Sequence, residues 1–173
     1  MLPVYTASEL LQHYLYFLLP LAGQSFKTEF LNTHNSYRAK HSAPPLKYNE
    51  ELNKTAQKWA DQLLARNSLG HSDTKDGENV FYMSSSSSVN PTGKEAVDSW
   101  YSEIKDYKFD DPGFGGNTGH FTQVVWQSST ELGVGMATNG QKLFVVGQYR
   151  PAGNIANPGF FEKNVLPKGN LLL

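Results

Sequence analysis

The chain has 173 residues, of which 39% are hydrophobic and 18% charged, with a net charge of −1 at neutral pH. This is the composition of one globular domain; it excludes a disordered chain and any whole-molecule electrostatic pull toward nucleic acid. There is no cysteine, which excludes disulfides, thiolate metal sites and a cysteine nucleophile and tilts toward a reducing compartment.

Residues 1–24 include an apolar stretch, Leu10 to Ala22 (LLQHYLYFLLPLA). It is open to three readings: a weak secretion signal, an apolar anchor, or an alternative start outside the working domain. The last ranks first. No Lys or Arg precedes the stretch, Gln12 and His13 interrupt it, and it falls short of the roughly 20 residues that span a bilayer. Leu2 stands where N-myristoylation requires glycine.

Ser25 to His41 reads as a helix with Phe26, Phe30, Leu31 and Tyr37 near one stripe, stopped by Ala43-Pro44-Pro45. Asn49 caps a second helix whose apolar face carries Leu52, Ala56, Trp59, Ala60, Leu63 and Leu64, and which closes at Asn67 to Gly70. His71 follows in a polar loop, then a short extended segment, Gly77 to Tyr82. The serine run Ser84 to Ser88 reads as a surface loop. Thr92 and Glu95 form a capping box ahead of a third helix with Ala96, Val97, Trp100, Tyr101 and Ile104 inside. A Gly-, Asp- and Pro-rich loop, Asp110 to Gly119, feeds a short fourth helix, His120 to Gln127. Leu132 to Thr138 and Leu143 to Tyr149 are β-prone and joined around Asn139-Gly140, a hairpin signal. Helices followed by strands predict an α+β domain with an antiparallel sheet covered by helices.

Charge is unevenly placed: Lys27 to Arg66 holds seven basic and four acidic residues, and Asp73 to Asp111 nine acidic and four basic. A basic first third suits a protein docking one face on an anionic membrane, and a solvated surface is the simpler account. The candidate chemical groups are His71, Glu78, Glu103 and His120, with His34 and His41 as alternatives. No zincin, Walker or Gly-x-Ser-x-Gly pattern is present.

Four segments occur in one order: HNSYR (His34 to Arg38), GENV (Gly77 to Val80), GHFTQVVW (Gly119 to Trp126) and YRPAGN (Tyr149 to Asn154). Together they resemble the motifs of the CAP superfamily of cysteine-rich secretory, antigen 5 and pathogenesis-related proteins, over about residues 25–167. The runs from Trp100 to Phe114 and from Asn157 to Pro167 are most similar to its Golgi-associated branch. The division expected is an atypical segment 1–24, a CAP domain 25–167 and a tail 168–173.

The resemblance implies a three-layer α-β-α sandwich with a central, mainly antiparallel sheet. It also implies a cleft tetrad mapping to His71, Glu78, Glu103 and His120. His71 and His120 would hold Zn2+ weakly and exchangeably, with the carboxylates as supporting acceptors or a general base. His34, Asn35, Arg38, Trp126, Tyr149 and Asn154 are expected to serve the scaffold. The function this implies is a non-enzymatic module on the cytoplasmic face of the Golgi membrane, binding anionic or sterol-like lipids and protein partners, with a homodimer through the cleft face and no nucleic acid. The aromatic and glycine loop around Phe109 to Phe114 would help to carry membrane binding. One alternative is a metal-dependent hydrolase or protease in which Glu78 or Glu103 activates water. The other is a secreted defence or signalling protein.

Overall fold

A computed structural model describes residues 25–169; the expectations for residues 1–24 and for the last four residues lie outside that range. Residues 25–40 form α1. They are followed by β1 (Lys47–Tyr48), α2 (Glu50–Arg66), β2 (Gly77–Ser84), α3 (Gly93–Tyr101) and a 3-10 turn (Ser102–Asp106). Then come α4 (Gly119–Val125), β3 (Glu131–Thr138), β4 (Lys142–Arg150) and α5 (Phe160–Asn164).

The local signals act as read. Asn49 accepts from the backbone N–H of Glu51 and Leu52 to start α2, and Asn67 ends it in the left-handed conformation at φ 50°. Thr92 accepts from Glu95 N to start α3, the one half of the expected capping box that forms among the described residues. At the hairpin, Asn139 Oδ1 accepts from the N–H groups of Gln141 and Lys142 beside Gly140 at φ 91°. Two short elements carried no readable period: β1, which has two residues, and α5, which has five.

The sheet order is β1-β3-β4-β2, with β1 parallel to β3 and the other pairings antiparallel. Alternation sorts the strands between two layers. Ala137, Phe144 and Val146 pack on Ala56, Ala60 and Leu63 of α2. Val134, Val145 and Tyr149 point the other way, into the cluster with Phe30, Trp100, Phe121 and Val124. The result is helix, sheet, helix: an α+β sandwich. Gly133 and Gly135 let α2 lie directly on β3, because a Cβ on either would sit 2.3 Å from the backbone of Leu52 or Ala56. Leu52 and Leu63 are fully buried there, each contributing about 1.5–3 kcal/mol by leaving water.

Three expectations need correction. The buried stripe of α1 runs through Phe26, Phe30, His34 and Arg38, while Leu31 and Tyr37 are half-buried; hydrogen bonds let polar residues occupy the inner face. α4 stops at Val125, since the carbonyls of Val124 and Trp126 turn to the Arg38 guanidinium. Phe109 is not an exposed aromatic of its loop: it is half-buried and packs on Tyr107 and Phe121, and of the two phenylalanine rings only Phe114, 62% exposed, faces solvent.

Candidate functional site

The four predicted cleft residues come from separate elements and meet as two pairs. His71 lies in the loop after α2, and Glu78 is the second residue of β2. Glu103 is on the 3-10 turn, and His120 is in the first turn of α4. His71 Nδ1 is 2.9 Å from Glu78 Oε1, and His120 Nδ1 is 2.7 Å from Glu103 Oε1. An ionised carboxylate only accepts, so in each pair Nδ1 carries a proton and donates, and in the neutral imidazole this leaves Nε2 with the free lone pair. His71, Glu78 and His120 line one cleft of ≈ 200 Å³ with Asn79, Phe114, Gly116, Gly119 and Asn154.

Each carboxylate is fixed by further donors. Ser72 gives its backbone N–H to Glu78 Oε1 at 2.9 Å and its hydroxyl to Oε2 at 2.5 Å; Gln148 Nε2 donates to Oε2 at 3.1 Å. Gln148 stands opposite Glu78 in the β2–β4 register. Its Oε1 is held in turn by the Thr55 hydroxyl. Burial is the largest single influence on the Glu78 carboxyl and raises it, but the hydrogen bonds from His71, Ser72 and Gln148 together outweigh it and hold the group below the usual carboxylate range. The bond to Glu78 raises the His71 imidazole, against a smaller opposing effect of burial.

Glu103 does a different job. Its Oε2 accepts from the backbone N–H of His120 and Phe121 at 3.0 and 3.1 Å, so it caps α4 from outside the helix, where Thr118 makes no side-chain cap. Its other oxygen sets the His120 ring, which stacks on Trp100 at an interplanar angle of 16°. Asn79 ties the cleft to the core by donating to the His120 carbonyl and to the Tyr149 hydroxyl.

The remaining motif residues lie in the scaffold. His34 is fully buried between Phe30 O and the Tyr149 hydroxyl; burial pushes its imidazole down to about 3, partly offset by the Phe30 bond, so it stays neutral. Asn35 exchanges two hydrogen bonds with the backbone of Leu46. Arg38, also fully buried, donates to the carbonyls of Pro44, Val124, Trp126 and Ser129. Trp126 packs edge-on against Phe161. Asn154, at φ 57°, accepts from Thr122 and donates to Gly119 O at the cleft floor. His41 bonds Leu166 O and the Tyr101 hydroxyl, away from the cleft. Sequence reasoning missed Ser72, Gln148 and Asn79 as cleft supports. The register that sets Gln148 opposite Glu78 is the signal that would have found Gln148.

Among the described residues no group of three His, Cys, Asp or Glu side chains converges as a metal cage. The donor set still suits a borderline cation held by two imidazoles and completed by water: each imidazole is oriented by a carboxylate on its far nitrogen, as in carboxylate–histidine–zinc arrangements. Among those residues no helix is long and apolar enough to cross a membrane.

Comparison with known proteins gives the same architecture. The chain is 46% identical over 151 residues to human Golgi-associated plant pathogenesis-related protein 1, covering 84% of this chain and 96% of that protein. It is 33% identical to pathogenesis-related protein 1 of Arabidopsis thaliana, over 81% of this chain and 85% of that one. Among solved structures, BmVAL-1 superposes with a TM-score of 0.67 at 27% identity, over 84% of this chain and 83% of that one. The structure titled NaASP2 with Zn2+ gives 0.64 at 28%, over 84% and 86%. Residues 31–149 match the CAP family, the cysteine-rich secretory protein family, and with its four motifs in the scaffold and cleft just described the chain belongs to that family.

Proposed function

We propose that this chain is a non-catalytic binding module of the Golgi-associated type, whose cleft takes Zn2+ weakly through His71 and His120. The observation that carries this reading is the pairing of both Nδ1 atoms with carboxylates, which leaves two Nε2 donors for one cleft. A bound Zn2+ would supply Lewis acidity there. The carboxylates favour binding over hydrolysis. Glu78 accepts from His71, Ser72 and Gln148, and Glu103 from His120 and Phe121, so both serve as orienting groups rather than as free bases. A solved relative whose title names Zn2+ adds support.

Titration calorimetry of Zn2+ into the metal-free protein is expected to show saturable, weak binding that disappears in His71→Ala/His120→Ala. Glu78→Gln is expected to weaken it by about 10-fold through loss of imidazole orientation. Equal heats in wild type and the double variant would sink the proposal.

The same module is proposed to sit peripherally on anionic membranes at the cytoplasmic face of the Golgi, where it would meet protein partners. Lys27, Lys54 and Lys58 line one broad groove with Glu50 and Asp61, and a human relative is named for its Golgi association. Sedimentation with vesicles is expected to require phosphatidylserine over phosphatidylcholine and to fall as salt rises. Binding independent of anionic lipid would remove this part of the reading.

A further inference from the structure

Ser72 and Gln148, which hold Glu78 in the cleft, also line a groove that shares no lining residue with it. Thr55, Lys58, Trp59 and Gln62 follow one another at i, i+3, i+4 and i+7 along α2 and form one wall. Ser72, Asp73 and Thr74, from the loop between α2 and β2, form the other. The groove encloses ≈ 330 Å³, a size that suits a small ligand.

Its polar groups divide into engaged and unengaged ones. The Thr55 hydroxyl, the Ser72 hydroxyl and the Gln148 amide are spent on one another and on Glu78. Among the described residues, the Lys58 ammonium, the Gln62 amide and the Asp73 carboxylate make no hydrogen bond or ion pair. The Thr74 hydroxyl accepts from Asp76 N and donates to nothing. Lys58 only donates, Asp73 only accepts, and Gln62 and Thr74 do both. The apolar part of the wall is Trp59, half-buried and held rigid: its Nε1 donates to Gly70 O at 3.1 Å, and the Arg66 guanidinium lies over the ring at 4.3 Å. Arg66 does not line the groove, which therefore meets the indole from another side.

This set selects against ions. The charges of Lys58 and Asp73 cancel, so an anion entering the groove meets the carboxylate and a cation meets the ammonium. A sugar ring meets neither penalty. Its neighbouring hydroxyls each donate and accept, and its C–H face carries the slight positive charge that an indole π-face attracts.

We infer that this groove is a binding site for a neutral saccharide, held by Trp59 through the sugar's C–H face and by Lys58, Gln62, Asp73 and Thr74 through its hydroxyls. The inference does not depend on a metal in the cleft. Lys58 and Gln62 also line the basic groove on the other side of α2, so the two surfaces adjoin without coinciding.

Maltose, cellobiose and N,N′-diacetylchitobiose are each titrated to about 100 mM in metal-free buffer while the indole N–H resonances of the three tryptophans are followed by NMR. At least one disaccharide is expected to shift the Trp59 resonance saturably and to leave those of Trp100 and Trp126, which are buried in the core, in place. Asp73→Ala and Gln62→Ala, at exposed positions where the fold is kept, are each expected to weaken that binding by about 10-fold. The methyl glycoside of the disaccharide that binds, its reducing end blocked as in a glycan, separates the two sources: equal affinity identifies the end of a glycan chain and lost affinity a free sugar, and both sustain the site. No saturable shift with any of the three sugars overturns the inference. So does a shift shared equally by all three indoles, or binding that both substitutions leave undiminished.

Discussion

Arg38→Met is expected to lower the unfolding free energy by at least about 3 kcal/mol, read as a shift of the urea midpoint with an unchanged slope. Arg38 is fully buried, and its guanidinium donates to the carbonyls of Pro44, Val124, Trp126 and Ser129 at 2.8 to 3.0 Å. These acceptors belong to the chain after α1 and to the turn that leaves α4, so one side chain organises two segments far apart in sequence. Methionine preserves much of the volume and none of the donors, and each orphaned buried acceptor costs about 1–3 kcal/mol. Burial already pushes the guanidinium down to about 10, a sign of how little water reaches it. Arg38→Lys is expected to recover little, because one ammonium cannot span four carbonyls. A loss below about 1 kcal/mol for Arg38→Met would show that water replaces the guanidinium.

Gly135→Val is the second large effect, acting through shape rather than polarity. A Cβ at Gly135 would lie 2.3 Å from the carbonyl of Ala56 and the nitrogen of Gln57, all of it helix backbone. Backbone cannot swing aside as a flexible side chain does, so α2 must lift from β3. Relief of the clash would break the layer contact made by Ala56, Ala60 and Leu63 and pull Gln57 from Met136. The expected loss is about 3 kcal/mol or more, at the upper end of overpacking effects. Gly113→Ala, where an added Cβ meets nothing within 4 Å, is the control and is expected to stay within about 0.5 kcal/mol of wild type. Equal stability of the two variants would contradict the close approach of α2 to the sheet.

Much of this protein was legible in its sequence because the signals are local. Helical periodicity placed α2 and α3, the Asn49 and Thr92 side chains started them, and Asn139-Gly140 set the hairpin that centres the sheet. Two of the ordered motifs contain Glu78 and His120, the resemblance they carry implied His71 and Glu103 as their partners in the cleft, and the fold class followed from helices preceding strands. Tertiary structure decided which histidine pairs with which glutamate, since those residues meet across three layers. It also decided that Gln148 holds Glu78 through strand register while Ser72 holds it from the loop before β2, and that Glu103 caps a helix to which it does not belong. Phe109 turned inward because an aromatic cluster around Phe121 was there to receive it, and hydrogen-bond partners distant in sequence let His34 and Arg38 occupy an inner face that composition assigns to apolar residues. Sequence by itself determined the longer elements, whose causes lie within a few residues, and only the folded structure decided the satisfaction of buried polar groups, because that depends on partners that the chain brings together after its elements have formed.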